Sequence, residues 1–463
     1  MGKYTVHFNI SERKILLRIV DLVSILLVLS FISIKFDFDY FTITTENWSW
    51  VFVLVLYISV FGTVFELYDL QKSSKLDKVL ANIVLTASIT VLFYILTPFF
   101  TPFLPSNRIQ ILYFYLAIII ALFLWRWLYI KFITTPRFYK KVLLVGEISN
   151  IETIVSAFKN SDPNYKIVGF INCEAKTNDG ITYKGVLEYQ PEDIHRVIQE
   201  ENISEIVVAS YNAETITSEI YLDLIVLLER GFPIKEYTQV YEDITYRVPV
   251  QFVGKDFYKY FPFSRSNQNK LYQFFHRFFD LIISLIGAAI CISLIPFIFL
   301  GNLIANKGPI IYSQDRVGKN GKIFQMLKFR TMIVDAEKEG AVWAIKNDSR
   351  VTNFGKFLRR SRLDEMPQFF NILRGDMSLI GPRPERPYFV KELSKVIPFY
   401  ETRHIIKPGL TGWAQVKVRY GSTVEDSLLK LQYDLYYIKH RSFFLDANVI
   451  IKTLSTMIFF RGQ

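Results

Sequence analysis

The chain of 463 residues is longer than one ordinary domain, so two or three modules are expected. Hydrophobic residues make up 51% of it and mean hydropathy is +0.23, which predicts several lipid-facing segments. Two cysteines exclude a cysteine-only zinc site and do not suggest a disulfide framework, so we expect cytoplasmic soluble parts.

The net charge of +11 is typical of a protein that binds an anion. Nucleic acid, anionic lipid and phosphorylated substrates all fit this charge, but the apolar segments favour the last two, so no nucleic acid is expected. No two of the five histidines have the spacing of a helical metal-ligand pair, so any metal would be held by oxygen.

Four apolar stretches in the first third of the chain are each long enough to cross a hydrocarbon core of about 30 Å. They are residues 15–34, 48–67, 79–100 and 109–133. Basic residues cluster before the first stretch, between the second and third, and after the fourth, so the positive-inside rule places both ends in the cytoplasm. We therefore predict a four-span bundle over residues 1–138.

Short apolar runs alternate with amphipathic segments over residues 139–262, which predicts a compact α/β domain. Strands are expected at residues 141–146, 166–172 and 205–210, and helices near residues 151–158, 191–200 and 218–230. The first turn, at Gly146, has one glycine where a dinucleotide fingerprint has three, and those glycines let the backbone approach a pyrophosphate. We predict a degenerate Rossmann-like domain, structural or regulatory, without an NAD site.

An apolar stretch with basic residues at both ends opens the last segment, residues 263–463. A fifth span would place everything after it in the periplasm, away from nucleotide-activated substrates, and the flanking charges oppose it. Pro296 interrupts the stretch and frees the carbonyl of Ile292, and Ser293 is placed to satisfy part of the exposed backbone. We predict a re-entrant helix over about residues 277–305 that kinks at Pro296 and returns to the cytoplasmic face.

An acidic pair, Asp364 and Glu365, follows two strands that Gly318-Lys319-Asn320-Gly321 joins by a tight turn. The pair precedes a short helix ended by Gly375, so we place Asp364 near the N-cap. Basic residues surround the pair: Lys328, Arg330, Arg350, Lys356, Arg359, Arg360 and Arg362. An ordinary capping carboxylate is the alternative. Arginines and a helix N-terminus together would keep Asp364 ionised and bring a phosphate to it, where a carboxylate can attack phosphorus.

Two further motifs carry candidate binding residues. Arg383 lies between Pro382 and Pro384, which fix the backbone and so the direction of the side chain. We interpret it as a phosphate clamp, with a rigid surface turn as the alternative. The run KPGLTGWAQV, residues 407–416, has small residues that would admit a ligand and Trp413, which would stack on a base or sugar.

KFRTM, RLDEMPQFFNILRGDMSLIGPRPE and KPGLTGWAQV resemble, in this order, motifs of the bacterial sugar transferase family, the monotopic polyprenyl-phosphate phosphoglycosyl transferases. The likeness runs from about Arg277 to the C-terminus. The N-terminal half resembles the family's large subgroup, which starts capsule, exopolysaccharide and lipopolysaccharide O-antigen synthesis. The expected fold class is thus a membrane α-helical bundle plus an α/β Rossmann-like domain plus a mostly helical α/β catalytic domain on a re-entrant membrane helix.

The resemblance implies a two-step reaction at the cytoplasmic face of the bacterial inner membrane. Asp364 attacks the β-phosphate of a UDP-sugar, UMP leaves, and undecaprenyl phosphate takes the sugar phosphate from the aspartyl intermediate. Glucose and galactose are the sugars considered first. Mg²⁺ is the implied cofactor, with Asp364 as a metal contact and Glu365 as the dyad partner. The implied phosphate-binding residues are Arg359, Arg383, Lys328 and Arg330, and those near the nucleotide are Pro384, Thr411, Gly412, Trp413 and Gln415.

Other partners and functions are open at this point. Membrane lipid is an expected partner, and a homodimer through the central domain is compatible with the sequence. A membrane-bound NAD-dependent nucleotide-sugar dehydratase would need a Tyr-x-x-x-Lys pair in a Rossmann domain, but Tyr68 with Lys72 lies at a membrane helix end. A non-catalytic assembly scaffold would tolerate loss of Asp364, which this chain retains. Ile295-Pro296 replaces the family's usual Ser-Pro, and Met366 its usual leucine.

Overall fold

A computed structural model gives two compact units, Met1–Thr245 and Tyr246–Gln463. It describes residues 10–36, 38–73, 76–133, 139–159, 165–173, 182–183, 185–209, 216–250, 269–306, 308–333, 348–418, 421 and 423–458.

Apolar helices form the first part of the N-terminal unit. They are α1 (Ile10–Lys35), α2 (Trp48–Val64), α3 (Leu70–Ser73), α4 (Leu76–Ile95) and α5 (Ile109–Phe132). Buried aliphatic and aromatic side chains of α1, α2, α4 and α5 share one core. Among the described residues, three helices are long and apolar enough to cross a membrane: Glu12–Lys35, Ile109–Phe132 and Lys270–Ala305. The shorter apolar helices at Trp48–Val64 and Val79–Ile95 stay predicted spans.

A buried ion pair joins the first and last helices of this bundle. Nη2 of Arg126 in α5 donates to Oδ2 of Asp21 in α1 at 2.8 Å, and both side chains are 0% exposed. The same nitrogen donates to the main-chain oxygen of Leu67 at 3.3 Å. Charges in such apolar surroundings persist only with a partner, so this pair fixes α1 against α5.

The second part of this unit is a parallel α/β domain, as the sequence predicts. Its elements are β1 (Lys140–Gly146), α6 (Ile148–Lys159), β2 (Tyr165–Asn172), β3 (Thr182–Tyr183), β4 (Val186–Tyr189), α7 (Ile194–Glu200), β5 (Glu205–Ala209), α8 (Ser218–Glu229), β6 (Ile234–Glu236) and α9 (Tyr237–Thr245). The sheet order is β3-β4-β2-β1-β5-β6, with only β3 antiparallel among the described strands. All three predicted strands and all three predicted helices are present, although Ser210 lies outside the described residues.

Gly146 at the end of β1 has a packing role. A Cβ at this position would lie 2.7 Å from the carbonyl oxygen of Ala209 in the neighbouring strand β5. The glycine therefore lets two strands approach each other, and no phosphate site is needed to explain it.

The C-terminal unit consists of one long helix and a mixed domain packed on it. Its elements are α10 (Lys270–Ala305), β7 (Ile311–Val317), β8 (Ile323–Phe329), α11 (Asn353–Arg360), α12 (Gln368–Arg374), β9 (Ser378–Ile380), α13 (Pro387–Val396), β10 (Gly409–Thr411), α14 (Trp413–Lys417), α15 (Val424–His440) and α16 (Phe443–Ile458). Strands β7 and β8 form the predicted antiparallel hairpin. Asn320 has φ +57° and Gly321 φ +75° in its turn, the left-handed conformation that Asn-Gly favours.

Helix α10 contacts the mixed domain along its whole length. Near its start Arg277 donates to the carbonyl oxygen of Ile372 at 2.7 Å, and near its end Asn302 donates to that of Gly308 at 2.6 Å. Between them the rings of Phe369 and Phe354 lie against Gly287 and Gly301, where a Cβ would clash. The opposite face exposes large apolar side chains, including Leu285, Ile286 and Phe297.

The backbone around Pro296 differs from the sequence expectation in one respect. The helix continues through Pro296 over all 36 of its residues. Ser293 Oγ donates to the carbonyl oxygen of Ile290 at 2.8 Å. Ser293 therefore bonds to the backbone at Ile290 and not at Ile292, because a hydroxyl in a helix reaches back to the preceding turn. The re-entrant course stays a prediction.

Candidate active site

The acidic pair lies in a 3-10 turn, Leu363–Glu365, between α11 and α12. Arg362 before it has φ +60°, a left-handed conformation that is costly outside glycine and turns the chain sharply. The N-cap of α12 is Pro367, and no side chain caps that helix. Asp364 therefore lies near this N-cap, as predicted, but in a turn of its own and not as the capping residue.

Glu365 binds three cations. Nη2 of Arg383 lies 2.9 Å and Nζ of Lys328 3.5 Å from its Oε1, and Nη1 of Arg362 lies 3.6 Å from its Oε2. Burial raises the pKa of Glu365, but the charge of Arg383 and then those of the other two outweigh burial and hold the pKa well below its usual range. Glu365 is thus ionised and holds these three cations at the site.

The carboxylate of Asp364, unlike that of Glu365, forms no ion pair with the described residues. Asp364 is 7% exposed, and no hydrogen bond or ion pair to its carboxylate occurs among the residues that the structure describes. Burial raises the pKa of Asp364, and the charges of Lys328 and Arg359 offset only part of the rise. The cations favour the charged form of Asp364, as expected, but they do not outweigh burial and the neighbouring charge of Glu365, so its pKa is raised above the ordinary value.

The other predicted phosphate-binding residues take different positions. Lys328 on β8 is half-buried beside the pair, and burial lowers its pKa. Nε of Arg359 donates to Thr331 Oγ1 at 3.0 Å, and its charge also acts on Asp364. Nε of Arg330 donates to the carbonyl oxygen of Pro309 at 2.8 Å, with the guanidinium over the Tyr312 ring. The structure gathers Lys328 and Arg359 at the pair but directs Arg330 to other partners.

The small residues of KPGLTGWAQV serve backbone packing. Strand β10 pairs in parallel with β9, and a Cβ on Gly409 or Gly412 would lie 2.1 Å from main-chain atoms of Gly381. Thr411 Oγ1 contacts Thr453 Oγ1 at 2.6 Å. Close backbone packing therefore explains why glycine occupies these positions, without the ligand that we expected them to admit.

Trp413 and Gln415 are turned into the protein. Trp413 is 3% exposed, its Nε1 donates to the carbonyl oxygen of Tyr246 at 3.3 Å, and its ring stacks on Tyr436. Gln415 donates to the carbonyl oxygen of Leu410 at 3.1 Å. This packing makes Trp413 a core residue and corrects the expectation that it presents a face to a base or sugar. A place near the nucleotide for Pro384, Thr411, Gly412, Trp413 and Gln415 stays a prediction.

Sequence reasoning missed the residues that hold the loop carrying Arg383. Arg316 Nη1 donates to the carbonyl oxygen of Pro384 at 2.9 Å, and Arg403 Nη2 to that of Arg383 at 3.1 Å. Arg403 also pairs with Asp434. No local pattern distinguishes these side chains from surface charges, since their partners are distant in the chain.

Comparison with known proteins gives a consistent result. The family model described as "Bacterial sugar transferase" matches residues 271–460. A UDP-N-acetylgalactosamine-undecaprenyl-phosphate N-acetylgalactosaminephosphotransferase of Aeromonas hydrophila is 39% identical over 49% of this chain, and the match covers 52% of that relative. An undecaprenyl-phosphate glucose phosphotransferase of Komagataeibacter xylinus is 27% identical over 71% of this chain and 61% of its own length.

A UDP-glucose:undecaprenyl-phosphate glucose-1-phosphate transferase of Caulobacter vibrioides is 36% identical over 38% of this chain, and the match covers 68% of that relative. The chain spans about half the length of the Aeromonas relative. These matches give no support to a dehydratase or a scaffold. From its motifs, the family match and the coverage of the Caulobacter relative, the chain belongs to the bacterial sugar transferase family.

Proposed function

We propose that this protein transfers a hexose 1-phosphate from a UDP-sugar to undecaprenyl phosphate, releasing UMP and starting exopolysaccharide, capsule or O-antigen synthesis. The observation that carries the proposal is the contrast within the acidic pair: Glu365 binds three cations, and Asp364 beside it has a carboxylate without a polar partner among the described residues. A carboxylate that no cation engages keeps its oxygen lone pairs for an electrophile. The relatives' printed activities support this reaction class.

The proposed reaction has the two steps that the family resemblance implies. Lys328, Arg359 and Arg383 bind the diphosphate, and an oxygen of Asp364 forms a bond to the β-phosphorus as the bond to the UMP oxygen breaks. UMP leaves with that electron pair. An oxygen of undecaprenyl phosphate then attacks the same phosphorus and breaks the bond to Asp364, which restores the carboxylate. Fixed cations neutralise charge on the phosphoryl oxygens, the main task in phosphoryl transfer.

We propose Mg²⁺ as the cofactor, on the chemistry of the donors present. No group of three or more His, Cys, Asp and Glu side chains that could hold a metal occurs in the described part of the chain. Mg²⁺ is usually bound by one or two carboxylates together with substrate phosphates, and Asp364 would supply a carboxylate, since Glu365 already contacts three cations of the protein. Bound there, Mg²⁺ would add positive charge at the phosphoryl oxygens.

A panel of UDP-sugars tests the proposal. We expect UMP release from one of UDP-N-acetylgalactosamine, UDP-glucose and UDP-galactose, with lipid-linked sugar diphosphate formed only when undecaprenyl phosphate is present. Release of UDP would indicate an ordinary glycosyl transferase. A 4-keto sugar formed with NAD would indicate a dehydratase, and no turnover of any sugar would favour a scaffold.

The protein is a membrane protein by its three candidate membrane helices and its family. We propose the bacterial inner membrane, with four N-terminal spans, the catalytic part on the cytoplasmic face and a re-entrant α10. Arg277 near the start of α10 and Gly301 near its end both contact the mixed domain, which supports this course, since a helix held along its length by one domain cannot cross a bilayer away from it. A homodimer through the central domain also stays a proposal.

Cysteine labelling in intact spheroplasts tests the topology. The two native cysteines are buried, so labelling reports introduced ones. We expect Lys322→Cys, in the exposed β7–β8 turn, to react only with a membrane-permeant reagent, and Thr45→Cys, between α1 and α2, to react with an impermeant one. Impermeant labelling at residue 322 would establish that α10 crosses the membrane.

A further inference from the structure

The loop that carries Arg383, residues 381–386 and called the Arg383 loop below, is held by its carbonyl groups. Four consecutive carbonyl oxygens, those of residues 382 to 385, each accept one hydrogen bond. The donors are, in order, Gly409 N at 2.9 Å, Arg403 Nη2 at 3.1 Å, Arg316 Nη1 at 2.9 Å and Val317 N at 2.9 Å. Since Pro382 and Pro384 have no N–H, the main chain at these two residues can form hydrogen bonds only through its carbonyl oxygens.

The donor to Arg383 itself is a buried charge. Arg403 is 4% and Asp434 1% exposed. Nη2 of Arg403 lies 2.7 Å from Asp434 Oδ2, and Nη1 donates to the hydroxyl of Tyr400 at 2.7 Å. Asp434 is on α15, so the contact ties the Arg383 loop to the centre of a helix.

Stability alone does not account for this pair. Removing two charges from water is costly, and apolar residues of similar volume are often as stabilising as a buried ion pair. What an apolar pair could not do is donate to the carbonyl oxygen of Arg383. The position of Arg403 beneath the loop therefore indicates a role in the geometry of the site.

We propose that Arg403, oriented by Asp434, is a positioning residue that fixes the backbone of Arg383 so that its guanidinium meets the diphosphate of the UDP-sugar. The inference rests on the proposed function. The contacts form a chain: Asp434 holds Arg403, Arg403 binds the main chain of Arg383, and Arg383 reaches Glu365 at 2.9 Å. Arg403 would act on catalysis without touching substrate.

The test uses an apolar replacement of the pair, Arg403→Met with Asp434→Leu, in the full-length protein. We expect it to fold with a melting temperature near that of the wild type. Its kcat/KM for the UDP-sugar should fall about 100-fold, because a small displacement of a binding group costs that much. The KM for undecaprenyl phosphate should stay unchanged. The kcat/KM of Arg403→Lys should lie between those of the wild type and the apolar variant. Its single ammonium group keeps the charge but lacks the planar guanidinium that contacts Asp434 and the carbonyl oxygen together.

The matched control is Tyr437→Phe. Tyr437 is buried on the same helix and donates to Asp446 Oδ1 at 2.6 Å, but it does not hold the Arg383 loop. This variant should lose stability, because it removes a buried hydrogen bond to a charged group. Its kcat/KM should stay within about twofold of the wild type, because the lost hydrogen bond does not position Arg383.

Two measurements separate positioning from general stability. Because Arg403 acts through Arg383, the apolar replacement of the pair should add little further loss in an Arg383→Ala background, and multiplicative losses would contradict the inference. Amide hydrogen exchange in peptides covering residues 381–386 should be faster in the apolar variant. Unchanged exchange or wild-type kcat/KM in that variant would overturn the inference. Failure of the wild type to release UMP would instead count against the proposed function, while exchange would still decide the role of Arg403.

Discussion

Asp364→Asn should reduce UMP release to background while the protein still folds. The amide keeps the shape of the side chain but cannot form an acyl phosphate. Folding should lose little, because no hydrogen bond or ion pair to the Asp364 carboxylate is present among the described residues. With sugar-phosphate radiolabel and no lipid acceptor, the wild type should retain covalent label and Asp364→Asn should not.

Two other carboxylates serve as comparisons for this result. Glu392 is exposed on α13 and pairs with Lys395, so Glu392→Gln should release UMP and retain label as the wild type does. Glu365→Gln should impair turnover for a different reason, since it leaves Arg383 and Lys328 without their anion. Label trapped on Asp364→Asn would show that another residue is the nucleophile.

Arg126→Met should be the most destabilising single change in the membrane bundle, by about 3–5 kcal/mol, because it leaves Asp21 buried and unpaired. Thermal unfolding in detergent would measure the loss. The double variant Asp21→Leu with Arg126→Met should recover most of it, since apolar residues can replace a buried pair. Arg108→Met, at the exposed start of the same helix, is the control and should change little. Equal stability of the single and double variants would show that the pair does not hold α1 to α5.

Local patterns were sufficient for the elements that build the site. Alternating apolar runs predicted the strands of the α/β domain, Asn320-Gly321 predicted the hairpin turn, and Gly375 at φ +93° ends α12 as expected. These signals depend on residues that are close in sequence, where spacing decides which side chains share a face.

Local sequence patterns did not predict which residues the charged and aromatic side chains contact. Arg383 and Lys328 approach Glu365 from two distant parts of the chain, so spacing along the sequence did not indicate that they contact Glu365 directly. Trp413 illustrates the same limit for aromatic residues, because a buried ring and a ligand-stacking ring have the same local sequence. The buried pair of Asp21 and Arg126 joins residues 105 positions apart, which no periodicity indicates.

The ring contacts of α10 also determine how far the reaction centre can move relative to lipid. Gly287 and Gly301, about four helical turns apart, receive Phe369 and Phe354. Sliding the helix by one residue would shift it about 1.5 Å and rotate it by about 100°, which would remove both rings from their glycines. The depth of Asp364 is therefore coupled to the exposed apolar face of α10. In the proposed re-entrant arrangement, lipid of a different thickness must deform around that face, because the helix cannot shift alone to compensate.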